Sequence, residues 1–546
     1  MGKQPLLIVG LDGATFDLLK PFVQAGRLPN IGRLMAQGQS AELLSTWPPL
    51  TLPAWTSFLT GVDPSVHGIT DLVMRWPHPE HLRPASAHGR ALPTFLSSLS
   101  QRGLRVAALG VPGTYPPEEV NGIHISGFDA PGADRARKDA VWPQEYWSEL
   151  QAKGGWRYAT FNEHRGGKDH LEHALRSMLE DISHKEDLIM SIFTKELWDV
   201  FFVHLQASDT AAHHFWHTHD KNSPRYLGDA YQHLLPTVYS RLDALIGKML
   251  SKGHEDLQVL VVSDHGMGGA SNQRVHLNRF LAEHGFLSFK NSVASTVRQS
   301  SGSALRALLG KLPRESIGAL RRRLPERFFS SALGILRGQD LDWANTCAFS
   351  DEFDYSPSIW IHSKDRFSQG VVEPEAKEAL LGQLESACQK LKDKDGRALI
   401  KKTYRPKDVY MGEYTNRLPD LILEPAWLDG YRVSFLPSAG NGPWHTESKA
   451  KDWCAPKGYG MPGVHRREGV FILYGNKEPV DVPDSLPIEE AGRLVYDLLK
   501  EPRPSFNQVD NESTQRREEV HVEGEKDFQV YDNQDVEERL RALGYL

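Results

Sequence analysis

Residues 258–269 read QVLVVSDHGMGG, in which an apolar run, Val259 to Val262, ends abruptly in an acid, an imidazole and three glycines. A short unbroken apolar run suits a strand covered on both faces, and the glycines free the backbone to turn sharply just after it. Two further runs end in the same way: LLIVGLDG (6–13) delivers Asp12, and LWDVFFVHLQ (197–206) leads into Asp209. Amphipathic stretches separate such runs, among them FDLLKPFVQAGRLPNIGRLMAQG (16–38) and AYQHLLPTVYSRLDALIGKML (230–250). Strand, helix, strand in that order predicts an α/β fold with a mostly parallel central sheet flanked by helices. In such sheets ligands gather beyond the carboxyl ends of the strands, where Asp12, Asp209 and Asp264 stand.

Outward from that core the organisation changes. Residues 1–285 carry the first part of the α/β pattern, and it resumes over 441–505 with GVFILYG (469–475). Between them, 286–440 reads as a helical and mixed insertion. Its first part holds LRALLGKL (305–312), IGALRRRL (317–324) and FFSSALGIL (328–336), and its ten Lys or Arg from Lys290 to Arg337 face only Glu315 and Glu326. A solvated helical face is the ordinary reading of such a run; a lid that attracts an anion is the sharper one. The second part offers strands SIWIHSK (358–364) and DLILEP (420–425) around a helix at 375–391. Residues 506–546 read as a charged linker and a last helix, VEERLRALGYL.

At 546 residues with 63 Lys and Arg against 70 Asp and Glu, the net charge of -7 argues against nucleic-acid binding through bulk positive charge. Three widely spaced cysteines suggest neither a disulfide framework nor a thiolate metal site. The apolar N-terminal run reads as a strand rather than a signal peptide, and no run is long enough to span a membrane, so a cytoplasmic protein is expected.

The chemistry begins with HLQASDTAAHHFW (204–216). On a helix, Asp209 and His213 lie one turn apart on one face, close enough to share a metal ion. Asp264 and His265, being adjacent, converge on one ion only where the backbone is irregular. Thr51, in PPLTLPAWTSFLTG (48–61), stands where a turn meets a helix. A hydroxyl there is ordinarily an N-cap, a role compatible with that of a nucleophile activated by divalent cations.

The ordered set VGLDGA (9–14), TLPAWTSFLTGVDPSVHGI (51–69), SDTAAHHFW (208–216), VVSDHGMGG (261–269) and GVHRREGVFILYG (463–475) resembles the alkaline phosphatase superfamily, within it the type I phosphodiesterase and nucleotide pyrophosphatase branch. GVPGTYPPEEVNGIHISGFDAP (110–131) and ERLRALGYL (538–546) are similar to bacterial predicted phosphohydrolases or phosphomutases of that superfamily. The resemblance implies an alkaline phosphatase-like core and two divalent metal ions, zinc first and manganese as the alternative. Asp209, His213 and His465 would hold one ion and Asp12, Asp264 and His265 the other, with Thr51 bridging them as nucleophile.

It further implies in-line attack on a small-molecule phosphoester through a phosphothreonine intermediate. A phosphomutase and a catalytically silent anion-binding relative are the alternatives. Thr51 argues against a sulfatase, a branch that needs Cys or Ser at that place. One departure stands out: in HGITDLVMR (67–75), Leu72 occupies the position of an Asn that binds a phosphoryl oxygen in the nucleotide pyrophosphatases. Arg75 is the candidate to replace that contact. His445 is the rival to His465, which is preferred because it precedes a strand in the family's order.

Overall fold

The first strand, Leu6–Leu11, shows why the apolar runs do not alternate with polar residues. Leu7, Val9 and Leu11 face one hydrophobic core, while Leu6 and Ile8 face a second one on the other side of the sheet. Helices Phe16–Gln24, Ala207–His219 and Leu234–Lys252 contribute to the first core; Thr51–Thr60, Phe95–Gln101 and Ile488–Leu498 contribute to the second. With both faces covered, no strand position favours a polar side chain.

The structure is a computed structural model that describes residues 4–75, 82–130, 136–158, 168–290, 341–352, 355, 357–438, 442–449, 460–478 and 480–504. Its main sheet has nine strands in the order Ser485–Pro487, Gln39–Leu44, Glu468–Tyr474, Gln258–Val262, Leu6–Leu11, Val200–Leu205, Val106–Val111, Gly122–Ser126 and Val141–Trp142. The five from Gln258–Val262 to Gly122–Ser126 are mutually parallel, and Glu468–Tyr474 runs against its neighbours. The α/β fold expected from the sequence is thus present.

Two local features set the site. A Cβ built on Gly10 would stand 2.8 Å from the ring of Trp55, so glycine there lets the helix Thr51–Thr60 lie directly on the first strand. The helix's first residue thereby reaches the strand's carboxyl end. Beyond His265 the chain runs at once into a new strand, Gly266–Val275, which pairs antiparallel with Gly463–Arg466 and puts Met267 opposite His465.

Within the span expected to be an insertion, a separate antiparallel sheet is ordered Ala348–Phe349, Ser358–Ile361, Leu421–Pro425 and Ile400–Tyr404, with the helix Lys377–Cys388, while Tyr431–Phe435 pairs with Gly266–Val275. A third core containing Phe280, Phe349, Ile359, Leu384 and Phe435 holds it together. The expected strands at 358–364 and 420–425 and the expected helix at 375–391 fall here. The basic helices expected between 305 and 336, and the last helix expected at 536–546, lie outside the described residues. No helix among the described residues is long and apolar enough to cross a membrane.

Candidate active site

Two groups of buried side chains that could hold a metal ion meet beyond the carboxyl ends of the central strands: Asp209, His213 and His465, and Asp12, Asp264 and His265. The first is made by the helix Ala207–His219, where Asp209 Oδ1 lies 3.1 Å from His213 Nε2 one turn on. His465 arrives from its separate strand, with Nε2 3.6 Å from Asp209 Oδ1 and 3.0 Å from His213 Nε2. In the second group, His265 Nε2 is 3.3 Å from Asp264 Oδ2 and 3.7 Å from Asp12 Oδ1. The groups adjoin through the stacked rings of His265 and His465, whose centroids are 3.6 Å apart.

The hydrogen bonds fix which atoms face inward. All three imidazoles donate from Nδ1 to a backbone carbonyl: His213 to Gly463 at 2.8 Å, His465 to Pro49 at 2.9 Å and His265 to Gly266 at 3.1 Å. Each Nε2 is therefore left as a lone pair. Two such lone pairs 3.0 Å apart, on His213 and His465, repel unless a cation or proton lies between them. Burial holds His265 down at about 3 and His465 at about 4, so both rings are neutral at pH 7. The carboxylates are oriented too. Gly13, in the left-handed region at φ 62, donates its N–H to Asp264 Oδ1 at 3.1 Å. Among the described residues Asp264 Oδ2 and Asp12 Oδ1 are buried with no hydrogen-bond partner. Burial, then the charge of Asp12, pushes the Asp264 carboxyl well above the usual carboxylate range. Burying unpaired carboxylates costs several kcal/mol each, a penalty that bound cations would reverse. The donor set and its orientation fit two divalent metal ions.

The family model for type I phosphodiesterase / nucleotide pyrophosphatase matches residues 6–434. The chain belongs to that family. As a member of the type I phosphodiesterase / nucleotide pyrophosphatase family, it is a metal-dependent phosphoric ester hydrolase. No curated protein matches it. Among solved structures, phosphonoacetate hydrolase from Sinorhizobium meliloti 1021 in complex with phosphonoformate is similar, with 13% identity and a TM-score of 0.48 over 91% of this chain and 96% of that one. Human ectonucleotide pyrophosphatase / phosphodiesterase 5 has 13% identity and a TM-score of 0.46 over 92% of this chain and 96% of its own.

Thr51 is the first residue of its helix, and its Oγ1 lies 3.3 Å from His265 Nε2. Leu50, not Thr51, is the N-cap, and it gives the helix no side-chain hydrogen bond. The Thr51 hydroxyl is therefore not spent on capping. Leu72 is buried with Leu52, Ile69 and Met74 as packing behind that helix. Arg75 is engaged with Asp351 of the insertion, Nε at 3.1 Å and Nη2 at 2.5 Å, and its guanidinium lies over the rings of Phe349 and Trp360. His445 hydrogen-bonds Gln273 at 2.6 Å and belongs to neither group of ligating side chains.

Three contacts escaped the sequence reading. His204 Nε2 donates to Asp12 Oδ2 at 2.7 Å, seconded by Trp55 Nε1 at 3.4 Å, which leaves Asp12 Oδ1 turned inward. Tyr355 stacks on His465 with centroids 4.5 Å apart. Tyr410 hydrogen-bonds the backbone of Trp47, four residues before Thr51. Only His204 left a visible trace, as a lone polar residue inside the apolar strand Val200–Leu205.

Proposed function

We propose that this chain cleaves a small phosphodiester or pyrophosphate by in-line attack of Thr51 Oγ1 on phosphorus: the bond to the leaving alcohol or phosphate breaks, the hydroxyl proton departs with it, and the phosphoryl group, with the substituent it keeps, is held as a phosphothreonine ester until water hydrolyses it. The observation that carries this reading is the place of the Thr51 hydroxyl: buried, freed from capping and 3.3 Å from the inward nitrogen of His265. Asp209, His213 and His465 would hold one cation, and Asp12, Asp264 and His265 the other. When bound, such a pair lowers the pKa of an adjacent hydroxyl and offsets negative charge gathering on phosphoryl oxygens. Imidazole nitrogens and carboxylate oxygens together suit zinc, with manganese as the alternative.

The protein's own share is positional. The helix Thr51–Thr60 presents its N-terminal end at the reacting group, where the unbonded N–H groups of its first turn and the helix dipole favour phosphoryl oxygens. The Nδ1 to carbonyl bonds hold the three rings so that none turns a donor toward the cations. Leu72 cannot grip phosphate, and the Arg75 edge that would do so in the sequence reading is taken up by Asp351. We therefore assign the phosphate grip to the helix end and the cations.

The test compares Thr51→Ala with Thr51→Ser on bis-nitrophenyl phosphate. The Ala variant should lose about 10³-fold or more in kcat while still binding metal, and the Ser variant should keep substantial turnover. Unchanged turnover in Thr51→Ala would remove Thr51 as nucleophile.

A further inference from the structure

Two tyrosines bear on His465: Tyr355 stacks on its ring, and Tyr410 bonds the backbone of Trp47, two residues before the Pro49 carbonyl that takes the Nδ1–H of His465. Tyr355 is buried, its ring lying nearly parallel to that of His465 at 23° and edge-on to His213 with centroids 5.3 Å apart. Because His465 stacks in turn on His265, the three rings form one column from the insertion across both groups. The Tyr355 hydroxyl donates to Met461 Sδ at 3.4 Å, four residues before His465.

Asp351 and Glu352, shortly before Tyr355, are themselves fixed. Glu352, at φ 55, accepts from Asn278 N at 2.8 Å, Ser438 N at 2.7 Å and Ser438 Oγ at 2.5 Å. A residue with a side chain adopts that backbone region readily only where its surroundings enforce it. Asp351 beside it is clasped by Arg75 of the core.

Tyr410 acts on the other edge of His465. Its hydroxyl accepts from Trp47 N at 2.7 Å and donates to Trp47 O at 2.8 Å, satisfying both backbone polar groups of that residue. Two residues on, the Pro49 carbonyl takes the Nδ1–H of His465, and two further on stands Thr51. Gly412 N donates to Ser65 Oγ at 2.8 Å, and a Cβ at Gly412 would come within 2.4 Å of the Ser65 carbonyl, so this stretch of the insertion sits hard against the core.

We infer that Tyr355 and Tyr410 are positioning residues: the first holds the face of His465, the second holds the loop that anchors its edge and leads to Thr51. The ion site of Asp209, His213 and His465 is therefore complete only with the insertion seated on the core. This rests on the two-cation reading above. Neither phenol is assigned a proton to transfer, and their roles need different atoms. Tyr355 works through its ring and Tyr410 through its hydroxyl, which gives opposite responses to phenylalanine.

The test titrates zinc into the metal-free full-length chain by calorimetry, with melting curves to establish folding. The native chain should take up two ions. Tyr355→Phe should match it, whereas Tyr355→Leu should weaken one of the two ions about 10-fold and leave the other unchanged. Tyr410→Phe should also weaken one ion about 10-fold, despite keeping its ring. Two ions bound with native affinity in both Tyr355→Leu and Tyr410→Phe would overturn the inference, as would equal impairment of Tyr355→Phe and Tyr355→Leu. A native chain that binds no ion would instead overturn the two-cation reading and this inference with it.

Discussion

Asp12 shows what can be read at the scale of one residue and what cannot. Its place after an apolar run marks it as a strand-end acid, but which of its oxygens faces the ligating group depends on His204, 192 positions away in sequence. His204 uses Nε2–H to take Asp12 Oδ2 and leaves Oδ1 inward. Replacing His204 by Leu should weaken metal binding about 10- to 100-fold, the usual cost of removing an outer partner of a ligand. His204→Gln should recover part of that, because its amide nitrogen can still donate to Oδ2. Titration of the metal-free variants reads both; native affinity in His204→Leu would show that Asp12 needs no such partner. Asp209 and His213 were more legible, since a helical spacing of four by itself puts both on one face. Asp264 and His265 were less so: adjacent residues converge only because the chain turns from one strand into another between Val262 and Gly266.

Elements were legible wherever burial was two-sided or strongly one-sided. The strands around Val9, Val203 and Val261, and the helices Ala207–His219 and Leu234–Lys252, follow from apolar patterning because each is covered by the cores that pattern implies. The pairing of Gly266–Val275 with Gly463–Arg466 was not legible, since glycine-rich strands carry no side-chain period to fix a register. Nor was the segment at 350–352, whose shape depends on Glu352. Burial raises that carboxyl to about 7 despite its three donors, with the Arg279 guanidinium the charged group acting to lower it. A carboxyl raised on folding binds its proton more tightly in the native state, so its stabilising contribution is full below about pH 4.5 and is lost as pH rises through about 7. The loss corresponds to about 3 kcal/mol. Melting curves from pH 5 to 8 should therefore fall more steeply for the native chain than for Glu352→Gln, which has no proton to lose there. Parallel slopes would mean that Glu352 is ionised throughout.

At the scale of the molecule, the parallel sheet gathers Asp12, Asp209 and Asp264 at one end, and the family's ordered motifs announced that gathering. The insertion's part in the site was hidden because Tyr355 and Tyr410 belong to no motif and act only through contacts made across the fold. Leu72 keeps its packing role behind the helix Thr51–Thr60, and Arg75 has become the core's hold on the insertion. What unites these parts is the hydroxyl of Thr51, carried to the end of the first strand by its helix and set beside two groups of side chains that could hold cations. The most direct measurement is peptide mapping by mass spectrometry after the zinc-loaded chain is mixed with a diester and quenched in acid. The account predicts on Thr51 of the native chain a phosphoryl group that still carries the diester's retained substituent; turnover with that group on another side chain, or with Thr51 never modified, would contradict it.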